Sequence, residues 1–359
     1  MMSARVKTIS IGTRKIGPGQ PVYVIAEAGV NHNGDIGMAE KMIKVAKDAG
    51  ADAIKFQAFK SELLASPGAP LAEYQKRNLR ASRTQRTMLK DLELSAADFA
   101  RLKGACDAAG IEFLASPFDL DSLKMLFDLG VKAVKVASSE MADTPMMEAI
   151  AARRVPALVS TGGATLREVK VALKVLHAGK LTDIALFHCT SSYPAPYDES
   201  NLRAIATMRD YFGLPVGYSD HSVGLHIAVA AVGIGALLLE KHFTLDRKLP
   251  GPDQALSLEP SELHSYVTAV RQAEKALGSG VKEPQASELA VRQAAWKSVV
   301  TTRAVKKGEK FTAEMLTTKR PATGIEPQYL RKVIGRRAKC DIAADAVLTW
   351  EMVRKKPFA

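Results

Sequence analysis

The feature that most constrains the fold is a repeated unit, in which a short apolar segment ends in polar residues and an amphipathic segment follows. The apolar segments lie at 22–29, 53–59, 112–118, 133–140, 156–163, 184–191, 215–222 and 237–244. Helical patterns such as those at 38–50, 96–110 and 166–179 lie between them and end near glycine, as helix C-termini do. Eight strands that alternate with helices predict a (β/α)8 TIM barrel. An open doubly wound sheet is the alternative, which the absence of a GxGxxG motif disfavours.

The two ends of the chain differ from this repeat. Residues 5–20 alternate in polarity around a Gly-Pro-Gly turn, which predicts a small hairpin or cap. Residues 278–287 are rich in turn formers, and short β-like runs follow them. We therefore predict a barrel domain at 1–283, a linker at 284–296 and a small β-rich domain at 297–359.

Composition excludes several classes of protein. The start lacks the apolar segment of a signal peptide, and the longest apolar run is too short for a bilayer, so we expect a cytoplasmic protein without a membrane anchor. The three cysteines show no CxxC spacing, which agrees with a reducing compartment. Of the net charge of +12, residues 281 onward carry +9. Without interleaved aromatics this basic tail favours an anionic substrate over nucleic acid, and a solvated surface is the third possibility.

Two histidines follow or end neighbouring predicted strands. His221 follows GYSD, and His242 ends a strand that begins ALLLEK. The carboxyl ends of barrel strands lie at one face, where catalytic sites form. The two imidazoles are therefore candidate ligands of one metal ion, although two hydrogen-bonded structural histidines would give the same pattern.

Two lysines, Lys55 and Lys135, interrupt otherwise apolar strands. A buried ammonium group needs an anionic partner. Together with strand-end hydroxyls they predict a phosphate or carboxylate site; these hydroxyls belong to Ser116, Ser138, Ser160 and Ser219. The segment STGGATLREV adds a helix N-terminus that would favour an anion, unless it is an ordinary turn.

The motifs AEAGVNHNGD, IKFQAF, KVASSE, FHCTSSYPAPYDESNL, GYSDHSVG and EKHFTLDRKLPGPD together resemble the sialic acid synthase family. The tail, with KRPATGI and VIGRRAKCDI, is similar to the antifreeze-like (SAF) domain of that family. The resemblance implies an enzyme that condenses phosphoenolpyruvate with N-acetylmannosamine and water to N-acetylneuraminate and phosphate. N,N'-diacetyllegionaminate and pseudaminate synthases are the alternatives within the family.

The resemblance also implies roles for individual residues. His221 and His242 would hold a divalent metal, with Mn²⁺ expected and Mg²⁺ or Co²⁺ as alternatives. Phosphoenolpyruvate would contact Lys55, Ser116, Lys135, Ser138, Ser160, Ser191 and Ser219. The sugar would contact Glu27, Gln57, Tyr193 and Asp253, with Glu140 at the reacting centre. Arg320 would reach the N-acyl group from the SAF domain of a partner subunit, in a domain-swapped homodimer.

Three positions depart from the pattern of many family members, namely Ser191, Gln254 and Ala322. We expect these departures to affect the choice of sugar rather than the type of reaction. Two rival functions are a Schiff-base aldolase with Lys55 or Lys135 as nucleophile, and a basic binding module formed by the tail.

Overall fold

The computed structural model describes residues 6–79 and 83–354. The chain divides into two compact units, Met1–Gly278 and Ser279–Ala359. The strands are β1 Ile9–Ile11, β2 Arg14–Ile16, β3 Tyr23–Gly29, β4 Ala53–Ala58, β5 Glu112–Pro117, β6 Val134–Val136, β7 Ala157–Ser160, β8 Ile184–Cys189, β9 Val216–Asp220, β10 Leu238–His242, β11 Ser298–Thr301 and β12 Leu316–Lys319.

The helices follow the predicted alternation in the first unit. They are α1 Ile36–Asp48, α2 Ser61–Leu64, α3 Glu73–Leu79, α4 Gln85–Leu92, α5 Ala96–Ala109, α6 Leu120–Asp128, α7 Thr144–Arg153, α8 Leu166–Ala178, α9 Arg203–Phe212, α10 His226–Ile234, α11 Pro260–Leu277, α12 Leu289–Ala295 and α13 Leu330–Val333. Local sequence sets many helix starts; the side chains of Asp35, Asp119 and Asp143 cap α1, α6 and α7. None of the helices in the described ranges is long and apolar enough to span a bilayer.

The first unit is a (β/α)8 barrel, which confirms the predicted fold class. The parallel ladder runs β5-β4-β3-β10-β9-β8-β7-β6, so each strand lies beside its neighbours in the chain. The two ends of this order, β5 and β6, also contact each other, which rules out the open sheet. The predicted hairpin is present as β1 and β2, paired with Ile9 opposite Ile16.

Side-chain alternation divides the barrel interior into layers. The outward residues of the strands pack under the helices, whereas inward residues near the strand starts form a separate apolar cluster with the β1–β2 hairpin. Tyr23, Leu158 and Phe187 belong to this apolar cluster. Because it closes the lower part of the barrel, the polar residues nearer the strand ends form the floor of an opening at the other end.

Two predicted strands are shorter than expected. The segment predicted at 133–140 is a strand only over β6, and a 3-10 turn begins at Glu140. The segment predicted at 156–163 ends as β7 at Ser160, before the turn that contains Gly162 and Gly163. In both places the polar residues after the strand turn towards other loops at the strand ends.

The second unit has a core of its own. Strands β11 and β12 pair antiparallel, and Val299, Phe311 and Leu348 are fully buried among other apolar residues. The predicted linker 284–296 contains helix α12, and the division between the units falls earlier, at Gly278.

Candidate active site

The first unit has a cavity of about 540 Å³ at the carboxyl ends of the barrel strands. All predicted site residues of this unit line it; they are Glu27, Lys55, Gln57, Ser116, Lys135, Ser138, Glu140, Ser160, Ser191, Tyr193, Ser219, His221, His242 and Asp253. They come from separate strands and from the loops that follow them. The barrel therefore brings together residues that are up to 226 positions apart in the chain.

Four buried charges form the floor of this cavity, and we call them the inner cluster: Glu27, Lys55, Lys135 and Glu240. Lys55 Nζ lies 3.2 Å from Glu27 Oε1 and 3.4 Å from Glu240 Oε1. Lys135 Nζ lies 3.3 Å from Glu240 Oε2. All four side chains are at most 5% exposed. Each lysine thus has the anionic partner that its burial requires.

Burial and ion pairing shift the pKa values of these groups in opposite directions. Burial raises the pKa of the Glu27 carboxyl, and Lys55 only partly opposes this. Burial would also raise the pKa of Glu240, but Lys135 and Lys55 outweigh it and lower the pKa. The pKa of Lys135 is lowered because burial prevails over the attraction of Glu240. Ionised Lys135 is therefore a poorly compensated cation at the cavity floor, suited to an anionic ligand.

Hydroxyl groups surround the two lysines. Lys55 Nζ donates to Ser116 Oγ at 3.1 Å, and Lys135 Nζ donates to Ser160 Oγ at 2.7 Å. Ser219 Oγ donates to Glu240 Oε1 at 3.1 Å. Such hydroxyls can turn from their present partners to an incoming oxyanion, because each carries both a donor and acceptor lone pairs.

Gly162 allows the loops on one side of the cavity to approach each other. Its backbone N donates to Ser138 Oγ at 2.9 Å. A Cβ atom at this position would lie 2.2 Å from Ser191 Oγ and 2.9 Å from Cys189 Sγ, so any other residue would force these side chains to move. At the predicted helix N-terminus nearby, the side chains of Thr165 and Glu168 cap α8 and are exposed, so a role of this turn in anion binding stays a prediction.

His221 directly follows β9 and His242 ends the neighbouring strand β10, and the centroids of their rings lie 5.7 Å apart. His221 Nδ1 lies 2.8 Å from the Thr190 carbonyl, which can only accept, so this nitrogen carries the proton and Nε2 keeps its lone pair. Burial lowers the pKa of His221 to about 4 and that of His242 well below its usual value. Both imidazoles are therefore neutral at physiological pH.

This pair fits a divalent metal. His242 Nδ1 is buried and has no hydrogen-bond partner in the described ranges, a deficit that a ligand would remove. Within those ranges no three His, Cys, Asp or Glu side chains group closely enough to hold a metal alone. Two neutral imidazoles therefore suit an ion that takes its remaining ligands from water or substrate oxygen.

A second group of side chains faces the upper part of the cavity. The Tyr193 ring lies 4.2 Å from the His221 ring and 5.1 Å from the Tyr74 ring. Burial raises the pKa of Asp253 to about 6, and its Oδ1 has no hydrogen-bond partner among the described residues. Burial also raises the pKa of Glu140. These groups offer unpaired acceptors and donors to a polar ligand.

Sequence analysis assigned no role to Glu240, although its side chain contacts both lysines. Its position in LLLEKH breaks an apolar strand in the same way that Lys55 and Lys135 do, so this signal was available. Tyr74 and Gln75 also line the cavity, and the predicted roles include neither. They belong to helix α3, between β4 and α5, where no strand pattern marks them.

Two positions with unusual residues lie outside the cavity lining. Gln254 is buried and donates to the Asn31 carbonyl at 2.9 Å, so it ties loops together rather than lining the cavity. Its expected effect on the choice of sugar stays a prediction, and it would act through the position of these loops. Arg320 and Ala322 belong to the second unit, where Arg320 is exposed. The predicted contact of Arg320 with a sugar stays a prediction.

Known proteins share both the sequence and this architecture. Residues 42–282 match the NeuB family, and residues 297–354 match the SAF domain. The chain is 42% identical to the N,N'-diacetyllegionaminic acid synthase of Legionella pneumophila, over 95% of this chain and 97% of that protein. It is 34% identical to the human (Homo sapiens) N-acetylneuraminate-9-phosphate synthase, over 95% of each chain.

A solved structure agrees with these matches. The N-acetylneuraminic acid synthetase of Leptospira borgpetersenii superposes with a TM-score of 0.70 at 38% identity, covering 80% of this chain and 95% of that one. The chain belongs to the NeuB family and carries a C-terminal SAF domain.

Proposed function

We propose that this protein condenses phosphoenolpyruvate with an N-acylated aldose and water, and releases phosphate and a nine-carbon 2-keto-3-deoxy sugar acid. The observation that carries the proposal is the pair of buried lysines, Lys55 and Lys135, aimed into one cavity beside two neutral histidines. Such a floor suits a small substrate with two anionic groups. The neighbouring imidazoles suit a metal that acts on a second substrate.

Among the possible products we favour N,N'-diacetyllegionaminate over N-acetylneuraminate, which sequence analysis put first. The Legionella relative named for that product is more similar to this chain, at 42% identity, than the human N-acetylneuraminate-9-phosphate synthase, at 34%. N-acetylneuraminate is the second candidate, because the Leptospira structure is 38% identical.

The anionic groups of phosphoenolpyruvate are assigned to the cavity floor. Lys135 and Lys55 would bind its phosphate and carboxylate, and the hydroxyls of Ser116, Ser138 and Ser160 would complete the contacts. Fixing both ends of the molecule orients its C3 carbon towards the second substrate, and orientation of this kind accounts for much of an enzyme's rate gain. Ser191 and Ser219 lie close enough to these side chains to contact phosphoenolpyruvate as well.

The upper part of the cavity is assigned to the sugar. Asp253 and Gln57 would accept and donate hydrogen bonds to its hydroxyls, with Tyr193 covering one face. From the cavity floor, Glu27, whose pKa is raised by burial, would hold a proton near the aldehyde end of the sugar. None of these contacts requires a positive charge.

His221 and His242 would hold the divalent metal, for which Mn²⁺ is our first choice. When bound, such an ion polarises a carbonyl oxygen and offsets the negative charge that develops there. We expect chelation by EDTA to abolish turnover and Mn²⁺ to restore it. The binding of Mn²⁺, followed by electron paramagnetic resonance, should be lost in a His221→Ala/His242→Ala variant; undiminished binding there would contradict the assignment.

The remaining chemistry takes place at C2 of phosphoenolpyruvate. Carbon C3 attacks the aldehyde carbon, water adds to the cationic C2, and the C–O bond to phosphate breaks. Glu140 would orient this water and take its proton, a role that its raised pKa supports. The lysines meanwhile keep the departing phosphate in place.

One assay tests the proposal as a whole. Phosphate release from phosphoenolpyruvate should depend on the added aldose, and a panel of N-acetylmannosamine, its 6-phosphate and a diacetylated aldose should identify the preferred one. Sodium borohydride with substrate should leave the enzyme active. Trapping of a covalent adduct on Lys55 or Lys135 would instead support the Schiff-base aldolase.

We further propose that the active unit is a domain-swapped homodimer in which Arg320 reaches the sugar of the partner subunit. A guanidinium group on a proline-stiffened loop suits an amide or carboxylate oxygen. Inactive Arg320→Ala and His221→Ala proteins, mixed and allowed to exchange subunits, should regain part of the activity. Exchange confirmed by native mass spectrometry without recovered activity would rule this arrangement out.

A further inference from the structure

One side of the active-site cavity is apolar, and neither the anion site nor the histidine pair accounts for it. We call this surface the apolar wall; it consists of Val30, Leu64, Met88, Leu89, Leu92 and Phe118. Val30 follows β3, Leu64 ends α2, and Phe118 follows β5. Apart from Leu64 and Phe118, which are half-buried, these side chains are buried while still facing the cavity.

Helix α4 supplies half of the apolar wall from a single face. Met88, Leu89 and Leu92 lie at positions that share one side of a helix, and Gln85, one turn before them, lines the same cavity. The helix therefore presents one amide group followed by three apolar side chains to whatever occupies this side. That sequence of groups matches an acetamido substituent, which has a polar amide and a terminal methyl.

The apolar wall is poorly suited to a sugar that carries only hydroxyl groups there. A hydroxyl buried against aliphatic side chains loses its hydrogen bonds to water and gains none in return. A methyl group in the same place removes apolar surface from water on both sides of the contact. The apolar wall therefore distinguishes an acylated position from a hydroxylated one.

The charges also argue against a phosphorylated sugar. In the part of the chain that the structure describes, the only cations that line the cavity are Lys55 and Lys135, and both belong to the inner cluster at its floor. A phosphate group on the sugar, on the side of the apolar wall, would meet aliphatic side chains instead of a cation. Desolvating such a dianion without a partner is strongly unfavourable.

We propose that the apolar wall binds a second acyl group on the aldose and so selects a diacylated sugar over a mono-acylated or phosphorylated one. The inference rests on the proposed synthase function and deepens it, because it assigns the choice of sugar to particular residues. Gln85 contacts the amide of the second acyl group, and Met88, Leu89 and Leu92 surround its methyl.

The test compares two sugars in the full-length enzyme, N-acetylmannosamine and the same aldose with a second acetamido group. We expect kcat/KM for the second sugar to be roughly 10- to 100-fold higher, the range that small apolar groups give in a fitted pocket. Leu89→Ala and Leu92→Ala should each lower this preference about tenfold, mainly by reducing kcat/KM for the diacetylated sugar.

Leu71→Ala is the matched control. Leu71 belongs to the same apolar cluster and is similarly buried, at 5% exposure, but it does not line the cavity. It should lower stability as the other two do and leave the ratio of the two kcat/KM values unchanged. A ratio altered as much by Leu71→Ala as by Leu89→Ala would show that packing, not contact, sets the preference.

The outcomes separate the inference from the function on which it rests. Equal use of both sugars by the unmodified enzyme, or a preference for the 6-phosphate of N-acetylmannosamine, overturns the role of the apolar wall and leaves the synthase proposal standing. If no N-acylated aldose supports phosphate release, the proposed function is wrong and the inference falls with it. Equal kcat/KM values of the wild type for the two sugars would overturn the inference even where a variant fails to fold.

Discussion

Strands β9 and β10 carry two sets of buried charges on opposite faces, and the two sets differ in how completely they are paired. On the inner face, Glu240 belongs to the inner cluster. On the outer face, Lys241 Nζ lies 3.0 Å from Asp220 Oδ2 and also donates to the Ser222 carbonyl. Asp220 Oδ1 accepts from Ser222 N at 2.9 Å and from Ser222 Oγ at 2.6 Å. The outer pair therefore meets its partners within the protein.

The charges of the inner cluster are less completely paired than those of the outer pair. Glu27 Oε2 is buried without a hydrogen-bond partner among the described residues, and the cluster faces a cavity. Glu240 Oε2 and Asp220 Oδ2 also accept no hydrogen bond, but each lies within 3.3 Å of a lysine Nζ, so the difference between the two sets rests on Glu27 and on the cavity. Neighbouring residues with the same kinds of charge thus serve two purposes. The outer pair holds β9 and β10 together behind the two histidines, whereas the inner cluster leaves buried polar atoms available to bind a ligand.

The largest effect that tests this comparison should come from Lys241→Met. The substitution removes the outer cation and leaves Asp220 buried without a counter-charge. We expect the free energy of unfolding to fall by about 3–5 kcal/mol, measured by urea denaturation. The double variant Asp220→Asn/Lys241→Met should recover most of this loss. A loss below about 1 kcal/mol in the single variant would show that the outer pair is not a structural contact.

Lys135→Met should have the opposite profile. We expect kcat/KM for phosphoenolpyruvate to fall by roughly 30- to 1,000-fold, equivalent to about 2–4 kcal/mol, because a buried anion contact is lost. The free energy of unfolding should change much less than in Lys241→Met, because Glu240 keeps Lys55 as a counter-charge, whereas Lys241 is the cation that pairs with Asp220. The comparison fails if Lys135→Met destabilises the protein as strongly as Lys241→Met and leaves kcat/KM unchanged.

The smallest effect concerns Asp253, a cavity carboxyl that pairs with no cation in the described ranges. Its pKa is raised by burial to about 6, so the ionised form is disfavoured in the folded state. The contribution of Asp253 to the stability of the wild type should therefore fall as pH rises from 4 through 6, and Asp253→Asn should lack this loss. At pH 7.5 the variant should be more stable by about 1–3 kcal/mol, and the gap should close near pH 4. Unfolding curves at both pH values check this, and an equal gap at both would refute it.

Much of the barrel could be predicted because its signal is local and repeated. The barrel strands are apolar runs and many of the helices have their own cap, so β3, β9 and β10 are visible without knowledge of their partners. Strand ends were less certain at β6 and β7, because hydrogen bonds such as that between Gly162 and Ser138 connect loops that are distant in sequence.

The sequence by itself determined which residue types interrupt the apolar strands, and therefore that Lys55, Lys135, His221 and His242 needed partners. Only the tertiary structure decided what those partners are. Glu240 connects both lysines because closure of the barrel places β10 opposite β6 and beside β3, a relation that no local pattern contains. The apolar wall, likewise, depends on α4 packing over the barrel opening, since an amphipathic helix alone does not reveal what its apolar face meets.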